Sequence, residues 1–161
     1  TKDMTLTDYP RMKTLRAKYV GYPNAQKKPF VLKGDHLAAS TFWHGALLNE
    51  WANDWSKYWT NGAANFVSSG MEDTGSYQSM IYLDRAGKTD KNRFMVLRTA
   101  SNYGMQPPGL TAAENLELES GDDGYAGMQS SLESAYAVGS KVVDEIISNW
   151  NIYQDKIPSA E

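Results

Sequence analysis

Short apolar runs alternate with longer helix-like segments along this chain, and that alternation constrains the fold more than any other feature. The apolar runs at residues 29–32, 65–68 and 93–98 are predicted strands. The helix-like segments share apolar residues at every third or fourth position, and they cover residues 4–20, 44–60, 72–84 and 125–150. Strands separated by helices favour βαβ units and a parallel sheet, so the predicted fold class is α/β.

Composition excludes several classes of function. The 161 residues include no cysteine, which rules out disulfides, thiolate metal sites and cysteine nucleophiles. The net charge is −3, and no run approaches the roughly 20 apolar residues that span a bilayer. We therefore expect neither a nucleic-acid partner nor a membrane span. The chain opens on Thr-Lys-Asp-Met, without an initiator methionine or a signal-peptide pattern, which favours a processed product or a fragment.

In a parallel sheet, ligands bind at the carboxyl ends of the strands. Segments 34–35, 68–72 and 99–103 follow the predicted strands and are candidates for that position. Residues 103–124 contain Pro107, Pro108 and several glycines without helical periodicity, which predicts a long loop. Loops of that length in compact domains are usually functional or disordered.

Six motifs are spread over most of the chain. They are FVLKGD at 30–35, TFWHG at 41–45, SGMEDTG at 69–75, LRTASNY at 97–103, PPG at 107–109 and ESAY at 133–136. In combination they resemble the purine nucleoside permease family. The resemblance implies part of a nucleoside phosphorylase-like αβα sandwich with a mixed sheet. It also implies that residues 1–161 are the C-terminal portion of a single such domain.

The same resemblance implies two principal site residues. Met71-Glu72 matches a pair that holds the ribose, with Glu72 accepting hydrogen bonds from its hydroxyls. Ser101-Asn102 matches a position that contacts the purine. An amide cannot give up a proton, but it can donate and accept hydrogen bonds, and it is expected to contact N7 and O6 of a 6-oxopurine. The alternatives are a turn asparagine that caps its own backbone, and a glutamate at a helix N-terminus.

Further candidates surround this pair as substrate-binding residues. They are Met71, Asp73, Ser101, Tyr103, Phe42, Trp43 and His44. Phe42 and Trp43 could stack on the base, or could be core aromatics. His44 could contact the ribose 5′-hydroxyl, or could cap a helix. Asp73 is the weaker carboxylate candidate, and Met71 could be simple core filling.

These residues lead to a primary expectation and alternatives. The primary expectation is N-ribosyl cleavage of purine nucleosides by phosphate or water, with Asn102 and Glu72 as the catalytic pair. One alternative is a binding protein that serves transmembrane nucleoside uptake without turnover, and another is a storage or structural protein. No cofactor or metal is expected, and inorganic phosphate is a candidate co-substrate. Expected partners are the N-terminal half as a separate chain and further copies of this chain. The resemblance favours a secreted or extracytoplasmic location.

Overall fold

The computed structural model describes residues 1–41, 43–121 and 126–158. Helices and strands are mixed along this part of the chain. In chain order they are α1 (Pro10–Ala17), β1 (Asp35–Ala38), α2 (Ala46–Trp59), β2 (Phe66–Gly70), α3 (Asp73–Arg85), α4 (Ala112–Ser120), α5 (Met128–Ser148) and α6 (Trp150–Tyr153). A 3-10 turn at Lys91–Arg93 follows α3.

The strands β1 and β2 pair in parallel and are joined through α2, which makes one βαβ unit. His36 lies opposite Ser68 and Ala38 lies opposite Gly70, with an irregularity between Asp35 and His36. Both carboxyl ends therefore reach the same edge of the sheet. The predicted α/β class is confirmed. The nucleoside phosphorylase-like sandwich is not confirmed, because it needs a larger sheet than these two strands.

Two of the predicted strands are wrong. Residues 29–32 precede β1 and are not part of it, and Gly34-Asp35 lies at the amino end of β1 rather than beyond a carboxyl end. Residues 93–98 form no strand ladder with the described part of the chain. A strand needs a neighbour for its backbone N–H and C=O groups, and apolar composition does not supply one. Met95 is 66% exposed, so this segment is not a buried central strand.

The helices are shorter than predicted at their starts. Helix α1 begins at Pro10, whose fixed φ and missing N–H suit a first-turn position. Helix α2 follows Gly45, which has a φ of 98°. The predicted loop at 103–124 is wrong in its second half, because α4 lies there. The Thr111 side chain accepts from the Glu114 N–H and the Glu114 carboxylate accepts from the Thr111 N–H, a capping box that the T-x-x-E pattern could have revealed.

The first half of that loop is anchored along its length. Gly45 donates its N–H to the Gly104 carbonyl at 3.0 Å, and the Tyr19 hydroxyl donates to the Met105 carbonyl at 2.9 Å. The Tyr103 hydroxyl donates to the Ala25 carbonyl at 2.6 Å. The rings of Tyr19 and Tyr103 lie 4.0 Å apart. These bonds hold the segment after Asn102 between the N-terminal region and α2.

The apolar core of the described residues is small. Tyr19, Ala52 and Val138 are buried. By contrast, α2 presents an exposed aromatic face, on which Tyr58 is 74% exposed and Trp51 and Trp55 are each more than 40% exposed. These aromatic side chains are therefore not buried among the described residues.

Within the described residues, no helix combines the length and the apolar character required to cross a bilayer.

Candidate functional site

An open cavity of about 620 Å³ lies at the carboxyl ends of β1 and β2. Thr41 and Trp43 line it after β1, and Met71 and Glu72 line it after β2. The segment 97–104 forms another wall. The structure thus brings together most of the residues singled out in the sequence, namely Trp43, Met71, Glu72, Ser101, Asn102 and Tyr103.

Two of the described candidate residues, Asp73 and His44, do not line this cavity. Asp73 instead lines a more open pocket beside His36. The Nε2 atom of His44 lies 3.4 Å from the Asn115 side-chain nitrogen. Phe42 lies outside the described residues.

Arg98 connects the two carboxylates at the start of α3. Its Nη2 donates to Glu72 Oε2 at 2.7 Å, and its Nε donates to Asp73 Oδ2 at 2.7 Å. The hydrogen bond from Arg98 lowers the pKa of Glu72, so this carboxylate stays ionised. Arg98 belongs to the LRTASNY motif, but its pairing was missed because Glu72 is 26 positions earlier in the sequence.

His36 approaches the same Asp73 oxygen that Arg98 contacts. Its Nδ1 lies 2.8 Å from Ser68 Oγ, and its Nε2 lies 2.8 Å from Asp73 Oδ2. The second contact is short, but the ring N–H is not aligned with the carboxylate, so it is not a well-formed hydrogen bond. Burial lowers the pKa of His36 despite the opposing effect of Asp73. The ring is therefore neutral at neutral pH, and Asp73 is engaged by neighbours rather than turned to the cavity.

Asn102 is held by a carboxylate from α4. Its Nδ2 donates to Glu119 Oε2 at 2.9 Å, and its Oδ1 accepts from Ser101 Oγ at 3.3 Å. Asn115 Nδ2 donates to the other oxygen of Glu119 at 3.0 Å. Among the described contacts, the Asn102 side chain bonds to these side chains rather than to its own backbone. Glu119 was missed because the prediction placed it in a loop.

Trp43 carries a buried polar atom. Its indole Nε1 has no hydrogen-bond partner among the described residues. One face of the ring stacks on Trp51, with centroids 5.1 Å apart and planes 9° apart. A base can therefore stack only on the opposite face. The Nε1 atom is shut off from solvent, so it is an unsatisfied buried donor among the described residues rather than a donor exposed on the cavity.

The first turns of α5 form a wall that the sequence reading missed. Ser130, Ser131, Ser134 and Val138 line the cavity. The Gly127 N–H before α5 donates to the Ser101 carbonyl at 3.1 Å, and a Cβ at Gly127 would lie only 2.5 Å from that oxygen. The missing side chain allows this close approach. Serines at helical spacing within an apolar stripe were the available signal.

The side chains that line this cavity are suited to hydrogen bonding. They offer an ionised carboxylate, an oriented amide and several hydroxyls on one open cavity. Among the described residues, no group of three or more His, Asp and Glu side chains is placed to hold a metal ion. Such a wall suits a polar, uncharged ligand with several hydroxyls and a heterocyclic edge.

Comparisons of this sequence with a family model and with curated proteins point to the same family. The purine nucleoside permease family model matches residues 1–158. A purine nucleoside permease of Candida albicans is 33% identical over 131 residues, which are 81% of this chain and 31% of that protein. A second Candida albicans protein of the same name is 32% identical over 79% of this chain and 30% of its own length. A "Probable purine nucleoside permease" of Schizosaccharomyces pombe is 24% identical over 94% and 42%. The chain thus spans about a third of the length of the first two relatives.

No solved structure matches this chain. The names of the relatives describe transport, so the comparisons contradict the N-ribosyl cleavage expected from the sequence, and the uptake alternative fits better. A permease name also gives no support to the expected secreted or extracytoplasmic location. The family model covers nearly the whole chain, and this chain therefore belongs to the purine nucleoside permease family.

Proposed function

We propose that this chain forms one side of a purine nucleoside site in a protein that serves nucleoside uptake, and that the nucleoside is bound without turnover. One observation carries the proposal. Glu72 and Asn102 line the same cavity, and each is held in place by a charged partner, Arg98 and Glu119 respectively. The family name of the matched model agrees with this function.

The ribose would lie against Glu72. Arg98 occupies one oxygen of this carboxylate, which leaves Oε1 as an acceptor for sugar hydroxyls. Because the pKa of Glu72 is lowered by that hydrogen bond, the acceptor is charged throughout the neutral range. Hydrogen bonds to charged groups contribute about 1.5–3 kcal/mol each. Met71 beside it would contact the apolar face of the sugar.

The purine would lie against Asn102 and the residues beside it. After the bonds to Glu119 and Ser101, Asn102 has one amide N–H and one lone pair of its carbonyl oxygen available. The face of Trp43 opposite Trp51 could stack on the base, at about 1–3 kcal/mol. Ser101 and Tyr103 complete this side of the cavity.

We also propose that residues 1–161 form the C-terminal portion of a nucleoside phosphorylase-like domain with a larger mixed sheet. The exposed aromatic face of α2 supports this, since contiguous apolar surface of this kind normally packs against more protein. Further protein of the same domain or a second copy of the chain would cover it. Light scattering of the purified chain separates monomer from oligomer, and a monomer with Trp51 and Trp55 fully accessible to acrylamide quenching would exclude a second copy as the cover.

The test of binding is calorimetric titration with inosine, guanosine and adenosine, with uridine as the comparison. We expect saturable binding of purine nucleosides, weaker binding of uridine, and no free base by chromatography with or without phosphate. Glu72→Gln should weaken affinity about tenfold or more, since a charged acceptor is lost. Glu117→Gln, an exposed change on α4, should leave it unaltered.

The purine side is tested with Asn102→Ala, which should abolish or strongly weaken binding. Asn92→Ala, at an exposed asparagine in the 3-10 turn, is its matched control. Failure of every purine nucleoside to bind, or equal affinity for uridine, would overturn the proposed function.

A further inference from the structure

Glu119 stands behind Asn102 and belongs to none of the motifs that suggested the site. Its two carboxylate oxygens accept from two amides, Oε2 from Asn102 at 2.9 Å and Oε1 from Asn115 at 3.0 Å. Asn115 is 7% exposed, and Glu119 is half-buried. The capping box at Thr111 fixes where α4 starts, so Glu119 is presented from a defined helix.

The carboxylate dictates which way the Asn102 amide faces. An ionised carboxylate only accepts hydrogen bonds, so the NH₂ group of Asn102 must point toward it. The carbonyl oxygen of Asn102 then lies on the other side, where Ser101 Oγ donates to it. This amide has four hydrogen-bonding positions, and two of them stay unpaired: one N–H and one lone pair of Oδ1. Because the amide cannot flip, this donor and this acceptor cannot exchange places.

We propose that Glu119 is a positioning residue that sets this order and thereby makes the site discriminate between 6-aminopurine and 6-oxopurine nucleosides. The inference rests on the proposed function, since it concerns the same site. An amino group at C6 donates, whereas an oxo group at C6 accepts. An amide locked in one orientation offers the matching group to only one of them. An amide free to rotate by 180° can adapt to either.

Glu119→Gln tests the idea at constant shape. A glutamine side chain can accept or donate toward Asn102, so it permits both orientations of the amide. We expect the ratio of the adenosine and inosine dissociation constants to move toward one by about fivefold or more. Affinity for purine riboside, which has no substituent at C6, should stay the same. Glu117→Gln removes the same charge from an exposed position of α4 and should leave the ratio unchanged.

A second readout does not depend on any nucleoside. The side-chain amide signal of Asn102, identified in nitrogen-15 spectra by its loss in Asn102→Asp, should shift in Glu119→Gln but not in Glu117→Gln. If nucleosides bind and the ratio is near one in the wild type, or unchanged in Glu119→Gln, the inference is overturned. If no nucleoside binds, the proposed function fails and selectivity with it, while the amide signal still reports whether Glu119 holds Asn102.

Discussion

Substitution of Gly127 by alanine tests the contact between the start of α5 and the Ser101 wall. The new Cβ would lie 2.5 Å from the Ser101 oxygen, 3.0 Å from its carbonyl carbon and 3.3 Å from its Cα. A carbon–oxygen contact normally needs about 3.3 Å. The two backbones must therefore separate by roughly 0.8 Å, because no flexible side chain is available to move. That displacement also weakens the Gly127 N–H bond to Ser101.

The expected loss follows from these distances. Overpacking that forces backbone shifts costs typically about 1–3 kcal/mol. Gly127 has a φ of −88°, which alanine adopts without strain, so replacing glycine returns about 0.4–1 kcal/mol through the unfolded state. The net destabilisation is about 0–2.6 kcal/mol, equivalent to a fall in Tm of up to roughly 10 °C for a domain of this size.

Urea denaturation followed by circular dichroism measures this loss, with Gly139→Ala as the matched control on α5. A Cβ at Gly139 would lie 3.5 Å from Leu97 Cδ2, an ordinary contact, and alanine improves helix propensity there. The control should be neutral or up to about 1 kcal/mol more stable. If Gly127→Ala is as stable as Gly139→Ala, the close approach of α5 to Ser101 does not exist as described.

Three further perturbations address other parts of the molecule. Arg98→Met should raise the pKa of Glu72 and weaken purine nucleoside binding about fivefold or more at pH 7. As the pH is lowered, the variant should also begin to lose binding at a higher pH than the wild type does. Calorimetry showing unchanged affinity would remove Arg98 from the site. Thr111→Ala should destabilise the protein by about 0.5–2 kcal/mol in thermal unfolding, whereas Thr111→Ser should retain stability, because only the alanine loses the capping hydroxyl. Because burial lowers the pKa of His36, the unfolded chain takes up a proton below about pH 6.5 that the folded chain does not, so stability falls as pH falls. His36→Gln should flatten the decline in Tm from about pH 7 to 5.5, and equal slopes in both proteins would contradict this assignment.

Local sequence patterns were informative where short-range physics governs the outcome. The periodicity of residues 72–84 and 125–150 predicted α3 and α5 closely, because one helix face must be apolar. The run at 65–68 lies within one or two residues of β2. The motifs around Met71-Glu72 and Ser101-Asn102 also placed two walls of one cavity. The strands at 29–32 and 93–98 failed, since strand formation depends on a distant partner.

By itself, the sequence determined the α/β class and the family, and it singled out Glu72 and Asn102, which line one cavity in the structure. The tertiary structure alone decided how that pair is held. Arg98 reaches Glu72 across 26 positions, and Glu119 reaches Asn102 across 17. The physical reason is that a hydrogen bond between side chains depends on distances of about 3 Å, which the spacing of residues along a chain does not specify.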